Sequence, residues 1–344
     1  LFLSGLMGAL RDCELVTLSL DSSWSGIDLD LVLHPDDRGI AEKYSPFFPK
    51  TAPGKFESSI RKRKMLSIAT LSRDLVQWWE SSEQFLSAEA RSTLARVSAA
   101  VSLFMGGLDF QEEILPKFGK TVSLVLGNQE PVEGRPTPSP AIPGGALVLD
   151  LEDSSKDGKT FIVGFKSVVG IFNLARMQQE PKAPRLLIKS EKVAGVDCYR
   201  VDLGLPAKPE NPGIEYNFSP TLAISGNRII IGSTFSLVSL LVEESEKSKG
   251  PGATGVERYA RDLLFIDGQA TRSALRANLD FLSSQQATEK SIGLAEAKAE
   301  LETIDELLSY IRGFEFKSYR RGDAVHMKFN LGLITDTTIV EPSE

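Results

Sequence analysis

The segment 221–233 restricts the possible folds of this chain more than any other part of the sequence. It reads Thr-Leu-Ala-Ile-Ser-Gly-Asn-Arg-Ile-Ile-Ile-Gly-Ser, so two apolar runs flank Gly226 and Asn227. These two residue types tolerate the positive φ angles of a tight hairpin turn. The segment therefore predicts an antiparallel β-hairpin, and Ser233 or Thr234 is a suitable N-cap for a helix after it.

Similar short apolar runs recur along the chain, and turn residues often separate neighbouring runs. They predict strands at 13–20, 27–33, 65–71, 121–126, 146–151, 186–193, 197–203, 262–267, 314–321 and 324–333. The run 27–33 alternates apolar residues with aspartates, which is typical of a strand with one solvated face. The dominant secondary structure is therefore predicted to be β-hairpins.

Apolar residues at helical spacing predict amphipathic helices between these strands. One helix is predicted to start after Ser72 as its N-cap, and others are predicted at 88–105, at about 160–178, after Thr234 and at 294–311. The last helix has an unbroken apolar seam, formed by Leu294, Ala297, Leu301, Ile304, Leu308 and Ile311. The predicted fold class is α+β: antiparallel sheets with packed amphipathic helices, in two related halves.

A proline-rich segment divides the predicted elements into two groups. Residues 128–145 contain five prolines and three glycines and predict a loop, with a long hairpin loop favoured over a domain boundary. The first half is then 1–127 and the second 146–334, followed by a disordered tail at 335–344. Residues 6–18 resemble residues 307–319. If this resemblance marks a repeated unit, residue 1 is expected to lie within a helix of that unit, and the unit would start upstream of residue 1.

Composition argues against two classes of partner. The net charge is −7, and the only basic run is 61–64, whereas nucleic-acid binding depends on neutralising phosphates with a basic surface. No run approaches the roughly 18 apolar residues that cross a bilayer. We therefore expect no nucleic acid among the partners and no transmembrane segment in this chain.

Motifs for catalysis or for cofactor and metal binding are incomplete. Gly-Lys-Thr occurs at 119–121 and 158–160, but both copies lack the earlier glycine of a phosphate-binding loop. The acidic loop 153–158 resembles the start of a calcium loop, but Gly164 stands where the bidentate glutamate belongs. Ser59 and Lys62 have the spacing of a catalytic Ser-Lys pair. They lie in a polar segment, however, where the lysine would stay protonated and could not activate the serine. No catalytic, cofactor-binding or metal-binding residue is therefore predicted.

The few histidines, cysteines and tryptophans allow structural interpretations. His34 and His326 are the only histidines, and each is predicted to be an ordinary strand residue rather than a general base. Cys13 and Cys198 are predicted to be two free thiols, because 185 positions separate them and both lie in apolar strands. The pair Trp78-Trp79 predicts one tryptophan in the core and one nearer the surface, where it would suit a partner.

Two stretches carry a resemblance to a known family. Residues 195–199, with Gly195, Val196 and Tyr199, precede a proline-rich gap and the run 220–234, and a leucine-rich helix follows. This order is similar to a family of uncharacterised bacterial proteins, exported or membrane-anchored, that repeat strand-helix units. The resemblance implies a non-catalytic binding or scaffold module at the bacterial cell envelope, outside the cytoplasm, with an unknown protein or envelope partner.

Two alternatives to this function stay open at the level of sequence. The first is a carrier that encloses a lipid or another apolar ligand between a curved sheet and the long helices. The second is a hydrolase whose carboxylates come together only in the folded chain. If the protein is exported, Cys13 and Cys198 would meet an oxidising environment in which a disulfide can form.

Overall fold

The computed structural model describes residues 10–11, 13–35, 48, 60, 65–129, 138–182, 184–206, 212–247 and 262–334. Within these ranges twelve antiparallel strands form one sheet, and helices pack against it. This arrangement confirms the predicted α+β class. The predicted tail at 335–344 and the resemblance of residues 6–9 to 307–310 lie outside the described residues.

Every strand lies at a position that the apolar runs predict. The strands are β1 Cys13–Ser23, β2 Gly26–Pro35, β3 Ser67–Ser72, β4 Phe118–Gly127, β5 Gly144–Leu151, β6 Leu187–Val193, β7 Val196–Asp202, β8 Thr221–Ser225, β9 Arg228–Gly232, β10 Asp262–Asp267, β11 Ile311–Arg321 and β12 Ala324–Leu333. The predicted turn at Gly226 is confirmed, because this glycine has a φ of 57° between the paired residues Ser225 and Arg228.

The helices are more numerous than the periodicity predicts, and α3 is longer than predicted. They are α1 Leu75–Phe85, α2 Ala88–Phe104, α3 Ser154–Gln179, α4 Phe235–Lys247, α5 Gly268–Ala277, α6 Leu279–Lys290 and α7 Leu294–Ser309, with short turns at Phe110–Ile114, Leu115–Lys117 and Ile214–Asn217. The sequence gives no bounds for α5 and α6, because the apolar side of α5 consists of one leucine and small alanines and α6 has little apolar periodicity. Helix α7 packs on α5, α6 and β11, with Ala297 and Leu301 of its predicted seam buried, whereas Leu294 and Ile304 are exposed.

The strand order follows the same pattern on both sides of the pair β10–β3. Reading across the sheet, the order is β1-β2-β12-β11-β10-β3-β4-β5-β9-β8-β7-β6. Both central strands lead into helices and then into two further strands, which pair outwards in sequence. A hairpin lies beyond these strands on each flank, β1–β2 beside β12 and β8–β9 beside β5, and the second flank continues with β7 and the edge strand β6. Strands from 1–127 and 146–334 thus share one sheet, and the division into these two halves stays a prediction.

The two central strands also end in the same way, with an aspartate that caps the following helix. Asp74 accepts a hydrogen bond from the backbone N–H of Gln77 (3.1 Å), and Asp267 accepts one from Ala270 (2.7 Å). The predicted cap at Ser72 is wrong. The backbone N–H of Ser72 donates to Asp262 (3.3 Å), so this residue still belongs to the central pair of strands.

Three apolar clusters form the core of the described residues, and two of them hold helices on the sheet. The largest lies between α4 and the strands β3, β4, β5, β7, β8 and β9, the second lies on β2, β11 and β12, and the third lies beneath α3. Their most buried members are Ile68, Val125, Ile230, Val238 and Leu241 in the first cluster, Leu33 and Met327 in the second, and Ile114, Leu222 and Ile229 in the third. Thr234 accepts from the N–H of Leu237 (3.3 Å), so the predicted N-cap of α4 is confirmed at Thr234.

The proline-rich segment connects neighbouring strands. Gly127 of β4 faces Gly144 of β5 in antiparallel register, so the segment is a long hairpin loop, as predicted. Residues 130–137 lie outside the described part of the chain. Residues 138–143 are anchored by Asn217, whose amide accepts from the N–H of Ile142 (2.7 Å) and donates to the carbonyl of Pro140 (2.9 Å).

A buried ion pair fastens the central strands together. Arg73 donates two hydrogen bonds to the carboxylate of Asp262, at 2.7 and 2.8 Å, and the hydroxyl of Ser318 donates a third (2.9 Å). The side chains of Arg73 and Asp262 are only 6% and 3% exposed. Both charges are therefore desolvated and depend on each other, since a buried charge without its partner is strongly destabilising.

Replacing Asp262 with alanine is predicted to lower the free energy of unfolding by about 3–5 kcal/mol, because the Arg73 guanidinium would stay buried without its counter-charge. Urea denaturation followed by circular dichroism measures this loss. The control is Asp202→Ala, which removes the carboxylate of the exposed Lys189–Asp202 pair and should cost less than about 1 kcal/mol. Equal losses in the two variants would contradict the central role of the Arg73–Asp262 pair.

Candidate binding surface on helix α3

Helix α3 begins at a well-capped turn that uses the acidic loop of the sequence. Asp153 accepts hydrogen bonds from the backbone N–H groups of Ser155 (3.0 Å) and Lys156 (3.3 Å). The hydroxyl of Ser155 also donates to this carboxylate and, with these N–H groups, lowers the pKa of Asp153. Asp157 forms an ion pair with Lys117 (2.8 Å). The carboxylates of the loop thus cap the helix and fix its first turn.

The first half of α3 lies against the core. Phe161 is buried and its ring lies 5.3 Å from that of Phe118, at the start of β4. A Cβ at Gly164 would lie 2.5 Å from the sulfur of Met105, so glycine at this position lets the end of α2 approach the helix closely. These contacts set the direction in which the rest of the helix extends.

The second half of α3 exposes large apolar side chains. Phe172 is 55% exposed and Leu174 is 63% exposed, and Ile171 and Met177 are exposed as well. We call these four residues the α3 apolar end. Single exposed apolar residues are common, whereas several on one short stretch mark an interaction site.

The α3 apolar end is held in a fixed position. The side-chain amide of Asn173 donates to the carbonyl of Leu186 (2.9 Å), and its oxygen accepts from the N–H of the same residue (2.7 Å). This paired contact ties the helix to the segment that leads into β6. The exposed apolar side chains therefore sit on an ordered helix and not on a frayed one.

Basic residues share the outward side of this helix. At 100° per residue, Lys159, Lys166 and Leu174 lie within one stripe on the side opposite Phe161. The ammonium of Lys166 also lies 4.8 Å from the centre of the Tyr199 ring. Lys156, Lys159, Lys166 and Arg176 outnumber the one carboxylate, Asp157, although the whole chain carries a net charge of −7. The helix is thus a basic and apolar element in an acidic protein.

Length and composition alone would permit α3 to span a bilayer, and among the described residues it is the only helix that passes this test. Phe161 and Val169 of this helix are nevertheless buried against the fold. The described part of the chain therefore contains no clear transmembrane span.

The two histidines lie on one face of neighbouring strands. Nε2 of His34 is 3.4 Å from the hydroxyl of Thr17, and the ring of His326 stacks on Tyr319 at 4.8 Å. Burial lowers the pKa of His326, although the nearby Asp30 opposes this effect. Both histidines thus make the contacts of strand residues, and the expectation that neither acts as a general base stays a prediction.

The remaining motifs of the sequence take structural roles. The first Gly-Lys-Thr lies inside β4 and the second in the first turns of α3, so neither forms a phosphate-binding loop. No group of three histidine, cysteine or acidic residues within the described ranges could hold a metal ion. Ser59 and Lys62 lie outside those ranges.

Tryptophan exposure differs from the prediction. Trp78 and Trp79 are both partly buried, and the Trp79 ring lies 4.8 Å from Phe110. The tryptophan with the most solvent contact is Trp24, 92% exposed, in the turn between β1 and β2. The sequence could have indicated this exposure, because Trp24 stands between two serines in a polar turn.

The sequence also contains a pattern that could have indicated the α3 apolar end. Apolar residues occur on every side of the second half of this helix, so the fold cannot cover all of them.

No protein-family model, curated protein or solved structure matches the chain. The resemblance to uncharacterised envelope proteins therefore stays an expectation. The residues that carry it form the turn before β7, the β8–β9 hairpin and the cap of α4.

The two cysteines provide a test of the fold. Cys198 is buried, and desolvation, followed by the charges of Asp197 and Glu191, raises the pKa of its thiol to about 11. Cys13 is partly exposed. In native protein at pH 8 we predict that a thiol reagent modifies Cys13 at least about tenfold faster than Cys198, because only a thiolate reacts. Peptide mapping after timed labelling measures both rates, and two groups should titrate after denaturation without a reductant. Equal native rates would contradict the described environment of Cys198.

Proposed function

We propose that the protein is a non-catalytic binding and scaffold module of the bacterial cell envelope, and that it attaches to an anionic lipid surface through α3. The observation that carries the proposal is the α3 apolar end: four large side chains exposed within one stretch of an ordered helix. Lys159 and Lys166 lie on the same side of this helix as Leu174 and supply the complementary charge there.

Two forces would act together at such a surface. Large apolar side chains gain free energy when they leave water for the boundary between lipid headgroups and acyl chains. Basic residues close to an anionic surface add about 1 kcal/mol each. A membrane that offers both an apolar interior and an anionic surface fits this helix better than a neutral apolar partner does.

The scaffold part of the proposal follows from how α3 is fixed. Phe161 holds the first half of the helix on the core, and Asn173 ties the second half to the strand segment before β6. A lipid surface that engages the apolar end would therefore orient the whole sheet. The expected role is to present the other surfaces of the sheet at a fixed angle to the membrane.

Vesicle flotation tests the lipid attachment. We predict that the protein floats with vesicles containing phosphatidylglycerol more than with pure phosphatidylcholine, and that added salt weakens this binding. The double variant Phe172→Ser, Leu174→Ser should reduce binding by about tenfold or more, because it removes the most exposed apolar area. The matched control is Val97→Ser, Leu103→Ser, which changes two exposed apolar residues on neighbouring α2.

The proposal is wrong if the protein floats with neither type of vesicle, or if the α2 control loses as much binding as the α3 variant. Native mass spectrometry of the same preparation separates it from the carrier alternative. A carrier would retain one lipid in each chain, and the α3 serine variant would keep that lipid.

A further inference from the structure

The two edges of the sheet differ in chemistry. Strand β6 forms one edge and carries Lys189, Glu191 and Lys192 within seven residues. Strand β1 forms the other edge, and its central residues 15–20 are Leu-Val-Thr-Leu-Ser-Leu, without charge or proline. Charged residues on an edge strand discourage pairing with another chain, whereas a long uncharged apolar edge favours it. Within the described residues, the edge at β6 is therefore protected and the edge at β1 is open.

An apolar row runs across the three strands β12, β2 and β1 and reaches solvent at β1. Leu18 of β1 faces Leu31 of β2, which faces Met327 of β12. Met327 is fully buried, whereas Leu18 is 63% exposed and Leu20 is 65% exposed. A further strand outside β1 would continue this row and cover these side chains.

We infer that the strand outside β1 is β1 of a second copy, paired antiparallel about a two-fold axis at Leu18. In this register Leu18 faces Leu18 of the second copy, Val16 faces Leu20, and Thr17 faces Ser19. Residues that face each other lie on the same side of a sheet, so within residues 16–20 each apolar residue meets an apolar one and each hydroxyl meets a hydroxyl. The sequence of β1 is thus self-complementary.

A shift of this register by one residue removes the complementarity. Glu14 would then face Asp21 of the second copy, and Val16 would face Ser19. Facing like charges are destabilising, and an apolar residue opposite a polar one breaks the row. The register centred on Leu18 is therefore favoured, because it avoids the facing carboxylates and keeps the apolar side chains opposite one another.

The pairing closes after two copies. A two-fold interface uses the same surface on both partners, so it forms a dimer and leaves no further β1 edge. The two sheets would join into one continuous sheet bounded at both ends by the charged β6. The inference rests on β1 alone and does not depend on lipid attachment through α3.

Sedimentation equilibrium at micromolar concentrations tests the dimer. We predict a dimer for the unaltered chain and at least a tenfold weaker association for Leu18→Lys, because two lysines would face each other at the axis. The control is Leu187→Lys, which places the same charge on an exposed leucine of the other edge strand and should leave the dimer intact. A monomeric unaltered chain, or a dimer that Leu18→Lys leaves unchanged, overturns the inference.

Disulfide trapping tests the register without a destabilising charge. In a Cys13→Ser background, Leu18→Cys should form a covalent dimer on mild oxidation, because the two thiols face each other at the axis. Leu15→Cys should not, because Asp21 of the second copy lies opposite. Faster cross-linking at position 15 than at position 18, or cross-linking at neither position, overturns the proposed pairing even if Leu18→Lys fails to fold.

Discussion

The antiparallel pairing of β3 with β10 is the contact on which the rest of the molecule depends. It joins residues nearly two hundred positions apart in the sequence, and a buried pair of opposite charges, Arg73 and Asp262, fastens one end of it. Each of these strands leads through an aspartate cap into its own helices, and each is followed outwards by two further strands. Because the sheet grows in both directions from this pair, its register fixes where every later strand can lie.

Much of this architecture follows from local sequence. Period-two apolar runs and turn residues locate all twelve described strands, and residue type limits the cap of α4 to Ser233 or Thr234. Non-local features do not follow. The cap of α1 is Asp74 because the N–H of Ser72 is engaged by Asp262, a residue of a distant strand. Helix α6 has little apolar periodicity, and the apolar side of α5 consists of one leucine and small alanines.

The candidate surfaces were harder to foresee than the fold, for a related reason. Apolar residues of α3 and β1 have the spacing of core residues, and only the folded chain shows where the neighbouring elements stop. The second half of α3 leaves Phe172 and Leu174 exposed, and within the described residues β1 has a neighbour on one side only. The two surfaces belong to opposite flanks of the sheet, since α3 packs on β8 while β1 forms the far edge. A dimer through β1 would therefore leave α3 of each copy free to meet a lipid surface.

The placement of β2 beside β12 has a consequence for how the chain is made. The side chain of Asn330 donates to Asp28 across 302 positions of sequence, so β2 gains its inner neighbour only when the last described strand has been synthesised. Until then the β1–β2 hairpin would have two unsatisfied edges on the ribosome. Contacts of such long range are slow to form, because the entropy of closing the intervening loop must be overcome first. Completion of this sheet thus waits until β12 has been synthesised, and a nascent chain that stops before β12 would expose both flanks of the hairpin to aggregation or to chaperones.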